Sequence, residues 1–586
     1  MSSRARSLLV ALLLAVPLAA PAATQATRTP RVAIAWDRFY DYDGIVELCR
    51  RLADSAPGLC RLEWLGESFE GRPMPLLVIA NAATGDEAGK SAMWVDGNVH
   101  GNEVQGAEAC VYLAWLLLER HGELPEITGL ADGRVFYICP MVNPDGRQAW
   151  FAEANTSSSS RSGRAPLDDD RDGLFDEDPP NDLDGDGELL SMRVRVPPGE
   201  GSWRVSPEDP RRMESVPRDK RRELGADLQL VGLEGVDDDG DGEINEDGPG
   251  AYDLNRNWPS GWQPEWIQYG AGSHPLSHPE SANIARFLLA HGNVAAAQSF
   301  HNNGGMILRG PGTKSREDLY PREDREAYDA IAKEGEAILP FYKSMVIWKD
   351  LYEVHGGFVN WCAEGLGIIS FTNEMWNGDQ YFAERGDGES EFGEGNEKRL
   401  LFDDRLLFGE TFVDWHAVPH VTYGTVEVGG FRKMTGRVPP PFMIEEMLHR
   451  NAAFCVFHAS QMPLLRADAP ELAEAEGGAR YLTLEIHNER WIPTRTAVAV
   501  AQHIGTPDIV TLEGDDVQVL AGGAGADRYD LADFEPVEHE PARLLLERGV
   551  PGHGSVRLRW IVRGSGPFSV TLRTEKAGSL VVGGSL

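Results

Sequence analysis

The sequence predicts an α/β sheet domain followed by a small all-β domain. Two observations carry this. Strand-like and helix-like segments alternate from about residue 40 to residue 461, the pattern of a sheet with helices on its faces and functional loops at the strand C-termini. After residue 465 the chain turns to an acidic, Ala-rich linker and then only to short strands, the pattern of a sandwich.

The elements follow in order. Apolar spacing is helical over 40–52, and 61–65 and 74–80 read as two strands around a Gly/Arg turn. Residues 92–96 form a buried strand that runs into Gly97-Asn98-Val99-His100-Gly101-Asn102-Glu103, after which 104–119 reads as a helix. The strand 134–139 is next. Residues 155–250 are rich in Ser, Asp, Gly, Pro and Arg with little periodicity and read as an insertion. The regular pattern resumes with a helix at 281–290 and strands at 295–300 and 367–372. A second polar, Gly-rich insertion is expected at 377–398, and 445–461 is the last helix. Strands are then expected at 481–486, 497–501, 556–562 and 568–573. The resulting domains are 33–466 and 478–586.

The N-terminus has Arg4 and Arg6, an apolar run over 8–20 and the small-residue signal Ala20-Pro21-Ala22, the layout of a secretory signal peptide over 1–22. That predicts an exported protein, periplasmic or extracellular, with no stable membrane anchor after cleavage: the run is shorter than the ~20 residues a spanning helix needs. A net charge of -37 over 586 residues argues against nucleic acid, which needs a basic surface. Six cysteines permit disulfides in an exported chain. The spacing suggests Cys49 with Cys60, whereas Cys110 and Cys139 equally suit buried thiols.

A His and a Glu three apart, where a strand gives way to a helix, can turn an imidazole nitrogen and a carboxylate oxygen toward one zinc ion. His100 and Glu103 have that spacing. Further motifs follow in order: Asn143-Pro144-Asp145-Gly146, Asp253-Leu254-Asn255-Arg256-Asn257-Trp258, His301 at a strand end, Tyr352 in Leu351-Tyr352-Glu353-Val354-His355-Gly356-Gly357, and Glu374 in Ser370-Phe371-Thr372-Asn373-Glu374.

As an ordered set these motifs, from about residue 40 to 465, resemble the funnelin zinc carboxypeptidases, with the HGNE form of their HxxE element. The resemblance implies a mixed central sheet flanked by helices, and one catalytic zinc on His100, Glu103 and His301 with a fourth position open. It implies Glu374 as general base, Asn255 and Arg256 as a clamp for the substrate's terminal carboxylate, and Tyr352 closing over it. It implies Asp253 as hydrogen-bond partner of His100. An arginine polarising the scissile carbonyl is expected from the loop after NPDG, where Arg161 and Arg164 both fit. Val359, seven residues after Tyr352, stands at the family's specificity position and implies an apolar pocket. His355 and Asn302 depart from the family's usual residues at the pocket rim.

Residues 168–178 recur as 237–247, with a shorter relative at 182–187. Asp at positions one, three and five with Gly at six is how calcium loops present oxygens around a sharp turn. The expected ligands are Asp168, Asp170, Asp172 and Asp176 in one repeat and Asp237, Asp239, Asp241 and Asn245 in the other. Pro179 and Gly248 stand where an EF-hand has its bidentate Glu.

The leading expectation is a zinc-dependent exopeptidase that removes C-terminal residues from peptide or protein substrates with a free C-terminus. A peptidoglycan or amide hydrolase on the same scaffold is the alternative, against which the carboxylate clamp argues. A non-catalytic calcium-stabilised binding protein is the third, against which the full zinc and Glu374 set argues.

Overall fold

The computed structural model describes residues 29–166, 168, 173–246, 248, 250, 252–378, 394–525 and 535–586. The segment read as a signal peptide, Asp170, Asp172 and most of the second insertion lie outside them. Among the described residues no helix is long and apolar enough to cross a membrane.

The strands in chain order are β1 (Cys60–Glu67), β2 (Pro73–Ile79), β3 (Ser91–Gly97), β4 (Arg134–Cys139), β5 (Ser191–Arg195), β6 (Trp203–Val205), β7 (Met213–Ser215), β8 (Leu228–Leu233), β9 (Val294–Asn302), β10 (Met306–Arg309), β11 (Lys343–Val346), β12 (Ile369–Met375), β13 (Phe412–His420) and β14 (Gly424–Phe431). An eight-stranded sheet runs β1-β2-β4-β3-β9-β12-β10-β11. It is mixed: β4, β3, β9 and β12 are mutually parallel, β1 with β2, β2 with β4 and β10 with β12 are antiparallel, and β11 runs parallel to β10.

The middle of this sheet is covered on both faces, which is why its strands are apolar runs without polar alternation. Along β3, Met93 and Val95 enter one core while Ala92 and Trp94 enter the other. The helix Gln105–Arg120 is buried along almost its whole length, and the helices Tyr42–Ser55 and Pro441–Ser460 belong to the same core.

A buried ion pair anchors the loop that follows β3. The Arg147 guanidinium, in the helix Pro144–Ala152, lies 2.6 Å from Glu108, and both side chains are fully buried. The same guanidinium donates to Asn98 Oδ1 (3.1 Å) and to the Val104 carbonyl (2.8 Å), the two ends of the 98–104 loop. Replacing Arg147 by Met strands the Glu108 carboxylate in the core, and a loss of about 3–5 kcal/mol is expected in denaturant unfolding. A loss below ~1 kcal/mol would show that the pair is not load-sharing in this way.

The stretch read as an irregular insertion builds regular structure. Its strands β5 to β8 join β13 and β14 in a six-stranded sheet of order β13-β14-β5-β8-β6-β7 around Leu190, Met192, Val418, Val426 and Val428. The strands are short and half-exposed, and the partner hairpin arrives some two hundred residues later, so local periodicity could not reveal them.

Residues beyond 465 form two facing sheets around Leu484, Val510, Trp560 and Leu572, a sandwich. The strand Ser555–Gly564 alternates buried and half-buried residues as expected of one. One element differs: Ala497–Ala501, expected as a strand, is a short helix whose N-terminus is capped by Thr496 Oγ1 and by the Asp324 carboxylate, which accepts from the amides of Ala497 and Val498. Capping and tertiary contact outweigh β propensity there. Lys576 from the sandwich buries its ammonium on the carbonyls of Val294 and Leu366. Val294 opens β9, so the sandwich docks at the N-terminal end of that strand.

No disulfide forms: all six cysteines are buried free thiols, including Cys49 and Cys60. Burial pushes Cys60 up to about 12, so that thiol stays protonated and unreactive.

Candidate active site

Three adjacent parallel strands end together. Gly97 of β3 pairs with Phe300 of β9, and His301 of β9 pairs with Glu374 of β12. The loop carrying His100 and Glu103 therefore meets His301 and Glu374 at the carboxyl edge of the sheet, where open α/β sheets bind ligands.

The loop's shape is built from local chemistry. Asn98 takes a positive φ of 55° and its side-chain amide donates to the carbonyls of His100 and Gly101. Gly101 is required by close packing: a Cβ there would lie 2.3 Å from the Ser160 carbonyl oxygen and 2.4 Å from the backbone of Gly146. The amide of Gly101 in turn donates to the Arg161 carbonyl.

His100, Glu103 and His301 are all buried, with relative exposures of 2%, 2% and 1%. His100 Nδ1 lies 2.9 Å from Glu103 Oε1, His301 Nδ1 lies 3.0 Å from Glu103 Oε2, and the two Nδ1 atoms are 3.3 Å apart. A tetrahedral zinc with bonds of about 2.0–2.1 Å needs ligand atoms about 3.3 Å apart. The donor set and its spacing fit that ion.

Both imidazoles are oriented from behind. His100 Nε2 lies 3.0 Å from Asp253 Oδ1. Burial works to raise the Asp253 pKa, but His100, Arg256 and Arg161 outweigh it and hold the carboxyl well below its ordinary range. His301 Nε2 lies 3.3 Å from Ser299 Oγ, whose hydroxyl donates to Asp96 (2.6 Å), which also accepts from Trp94 Nε1 (2.6 Å). With Nε2 protonated, each imidazole leaves Nδ1 for a metal.

Glu374 faces the same point. Burial first, and then the Glu103 carboxylate, push it up to about 7 against the pull of His301, Arg161 and Arg437. Arg161 reaches in, donating to Glu103 Oε1 (2.7 Å) with Asp253 at 3.5 Å. Arg164 does not: its guanidinium is held by Glu153 (3.1 Å) and Glu70 (3.5 Å).

His100, His301, Glu374 and Arg161 line an open pocket together with Asn255, Arg256, Tyr352, Val359, Asn360 and Thr372. Asn255 Oδ1 accepts from the amide of Phe358 (2.9 Å), which fixes the amide group and leaves its nitrogen for a ligand. Arg256 is 8% exposed and donates from one Nη to the Asn255 carbonyl. Tyr352 follows a single π-helical turn and is 55% exposed, standing at the mouth. His355 Nδ1 makes a 3.1 Å hydrogen bond with the Gly261 carbonyl, and Asn302 Nδ2 donates to the Arg437 carbonyl, so both rim departures are tied to the backbone.

Sequence reasoning missed Asp96, Ser299, Asn360 and Arg437. Asp96 had a signal, a carboxylate closing an apolar strand four residues before His100. Arg437 had none: its guanidinium donates to the Asn302 carbonyl (2.6 Å) and lies 3.4 Å from Glu103 Oε1, from a loop more than three hundred residues away in sequence.

In the acidic repeats, the carboxylates of Asp182, Asp184 and Asp186 cluster, as do those of Asp237, Asp239 and Asp241. Their oxygens also accept from the loops' own amides, such as Gly242 N to Asp237 and Asp241 N to Asp239. Asn245 does not join its group: its amide nitrogen donates to the carbonyls of Leu233 and Glu234. Asp168 and Asp176 belong to the repeat whose Asp170 and Asp172 lie outside the described residues.

The sequence model of the zinc carboxypeptidase family matches residues 45–180 and 237–391, and a family described only as a domain of unknown function matches 465–583. Carboxypeptidase D of Anas platyrhynchos is 34% identical over 109 residues, 19% of this chain and 8% of that protein. Human carboxypeptidase Z is 31% identical over 127 residues, 21% of this chain and 19% of that protein. The match thus spans less than a tenth of the length of carboxypeptidase D. Among solved structures, a carboxypeptidase A from Helicoverpa armigera aligns with a TM-score of 0.43 and 16% identity over 74% of this chain and 76% of that one. With the ligand set, the sheet that presents it and the family match in hand, the chain is a member of the zinc carboxypeptidase family.

Proposed function

We propose that the protein is a zinc-dependent exopeptidase that hydrolyses the last peptide bond of substrates with a free C-terminus. The observation that carries the reading is the pocket shared by His100, His301, Glu374, Arg161 and the Asn255–Arg256 pair, with Glu103 clustered beside both histidines. Zinc bound by His100, Glu103 and His301 supplies Lewis-acid chemistry, polarising a carbonyl and lowering the pKa of water toward ~7.

The chain's own residues do the rest. Glu374 takes the proton of the attacking water and passes it to the leaving amine, and a pKa near neutrality suits a group that must do both. Arg161 meets the negative charge that develops on the carbonyl oxygen. Asn255 and Arg256 bind the terminal carboxylate through charge-assisted hydrogen bonds, which places the last bond, and no other, at the centre. Tyr352 covers the bound end. Asp253 keeps His100 in the required tautomer.

A pair of peptides differing only in a free or amidated C-terminus tests the clamp. Hydrogen bonds to a charged group are worth ~1.5–3 kcal/mol, so the free acid should be cleaved at least ~10-fold more efficiently in kcat/KM. Equal cleavage of the two would sink the exopeptidase reading and favour the amide-hydrolase alternative.

The reading includes calcium in the two long acidic repeats, at Asp168, Asp170, Asp172 and Asp176 in the first and at Asp237, Asp239 and Asp241 in the second, supported by the recurrence of Asp at positions one, three and five. Saturating calcium should then raise the unfolding temperature by about 2–4 °C or more relative to protein in chelator specific for calcium, and an unchanged transition would refute it. It also includes export to the periplasm or the exterior, supported by the composition of residues 1–22.

A further inference from the structure

From a second open pocket beside the metal centre we infer that the enzyme also grips its substrate upstream of the cleaved bond, holding an aromatic or large aliphatic side chain of the third or fourth residue from the C-terminus. The inference rests on the exopeptidase reading and adds a further requirement on the substrate.

Trp376, Phe402, Leu407, Met434, Val438 and Pro440 give this pocket apolar walls; Lys398 and Arg399 also line it, and no carboxylate is among its described residues. Lys398 is exposed and Met434 is 40% exposed, so the mouth opens to solvent. In a chain of net charge -37 this is a local reversal of sign. Such walls favour burial of an apolar side chain, and the two cations repel a Lys or Arg. Apart from Trp376 and Gly378, every lining residue lies beyond residue 391, where the match to the zinc carboxypeptidase family ends. This chain thus builds the pocket from segments of its own.

The two pockets lie toward opposite faces of the central sheet and approach each other at its carboxyl edge. Leu308, Ile347, Val354 and Val359, which wall the pocket at the metal centre, belong to the core that Ala92 and Trp94 enter. Trp376 and Phe402 pack with the core of Met93 and Val95. Strand alternation would send Trp376 to the side of Glu374, but its φ of 61° leaves the extended conformation and the indole joins the other core. The indole nitrogen donates to the Gly436 carbonyl (3.0 Å). Between Gly436 and Val438, both lining residues, the partly exposed Arg437 reaches the Asn302 carbonyl (2.6 Å) and Glu103 (3.4 Å). The pocket therefore begins beside the metal ligands, and Trp376 stands two residues past Glu374, about 7 Å at the rise of a strand. An extended peptide covers ~3.3–3.6 Å per residue. With its last residue held by Asn255 and Arg256 on one face, a substrate leaves the metal centre over Arg437 toward the other face. Its third or fourth residue from the end then meets the second pocket.

The test uses zinc-loaded full-length protein and N-terminally blocked peptides that share their last two residues. Phe, Gly or Lys is placed at the third or the fourth position from the end, with Ala elsewhere, and release of the last residue is followed by mass. At one of these positions the wild type should favour Phe over Gly by ~10-fold or more in kcat/KM, the yield of burying most of a Phe side chain, and Lys should do no better than Gly. Met434→Asp and Leu407→Asp put a carboxylate into the apolar wall and should bring the Phe/Gly ratio toward one, with unfolding midpoints reporting that the variants fold. Lys398→Glu, at an exposed position, should raise release from the Lys peptide relative to the Gly peptide. A wild-type Phe/Gly ratio close to one at both positions overturns the inference whatever the variants do, and so do ratios unchanged in all three variants. If no peptide loses its C-terminal residue, the exopeptidase reading itself fails and takes this inference with it, an outcome distinct from release without upstream preference.

Discussion

Glu374→Gln is expected to lower kcat by ~10²–10⁴-fold, the usual worth of a positioned general base, while zinc content and unfolding midpoint stay within error of the wild type. Glutamine keeps the size and polarity of the side chain at the end of β12, and its backbone contact, the Glu374 carbonyl accepting from Gly305 N, is untouched. What it removes is the ability to take and return a proton. Substrate binding rests on Asn255, Arg256 and the side pocket, so KM should change little. A loss in kcat with unchanged KM marks an interaction made only in the transition state. A variant retaining more than about a tenth of wild-type kcat would mean that another group serves as base, against the ~10²-fold minimum expected of a positioned base. Arg161 and Arg437 are no substitutes, since guanidinium groups stay protonated.

The second large effect is His301→Ala. His301 provides one of three ligand atoms in a cluster whose spacings all lie near the 3.3 Å edge of a tetrahedron. Losing a partner behind a ligand costs ~10–100-fold in metal affinity, so losing the ligand itself should exceed ~100-fold. Competition against a chromogenic chelator measures this directly. Because Asp96 and Ser299 are tied to each other and to Trp94 as well as to His301, the strand should remain formed, and the unfolding transition of the metal-free variant should match that of the metal-free wild type. Wild-type zinc affinity in the variant would contradict the assigned ligand set.

Much of the central sheet could be read from its residues. Strands covered on both faces, such as β3 and β4, are uninterrupted apolar runs, and the helix Gln105–Arg120 is too long and apolar to be anything else. The boundary at 367 was set early because Gly367, with φ of 61°, ends the preceding helix rather than starting β12. The second sheet was illegible because strands such as β6 and β7 span three residues each and acquire their partners from distant sequence. At the site, residues held in short ordered motifs were visible. Choosing Arg161 over Arg164 needed geometry, since both lie in one Ser/Gly loop and only one is turned away by Glu153 and Glu70. Asn360 reaches the pocket, and Arg437 the Glu103 carboxylate, through tertiary packing alone, which no local pattern encodes.

If the metal centre and the carboxylate clamp work together in one pocket, single residues leave a free C-terminus. Mass analysis of a mixed peptide digest by the zinc-loaded protein, with and without a zinc chelator, tests it most directly. Ladders shortened one residue at a time from the C-terminal end are expected, abolished by the chelator and restored by zinc. Internal fragments, or cleavage indifferent to the chelator, would contradict it.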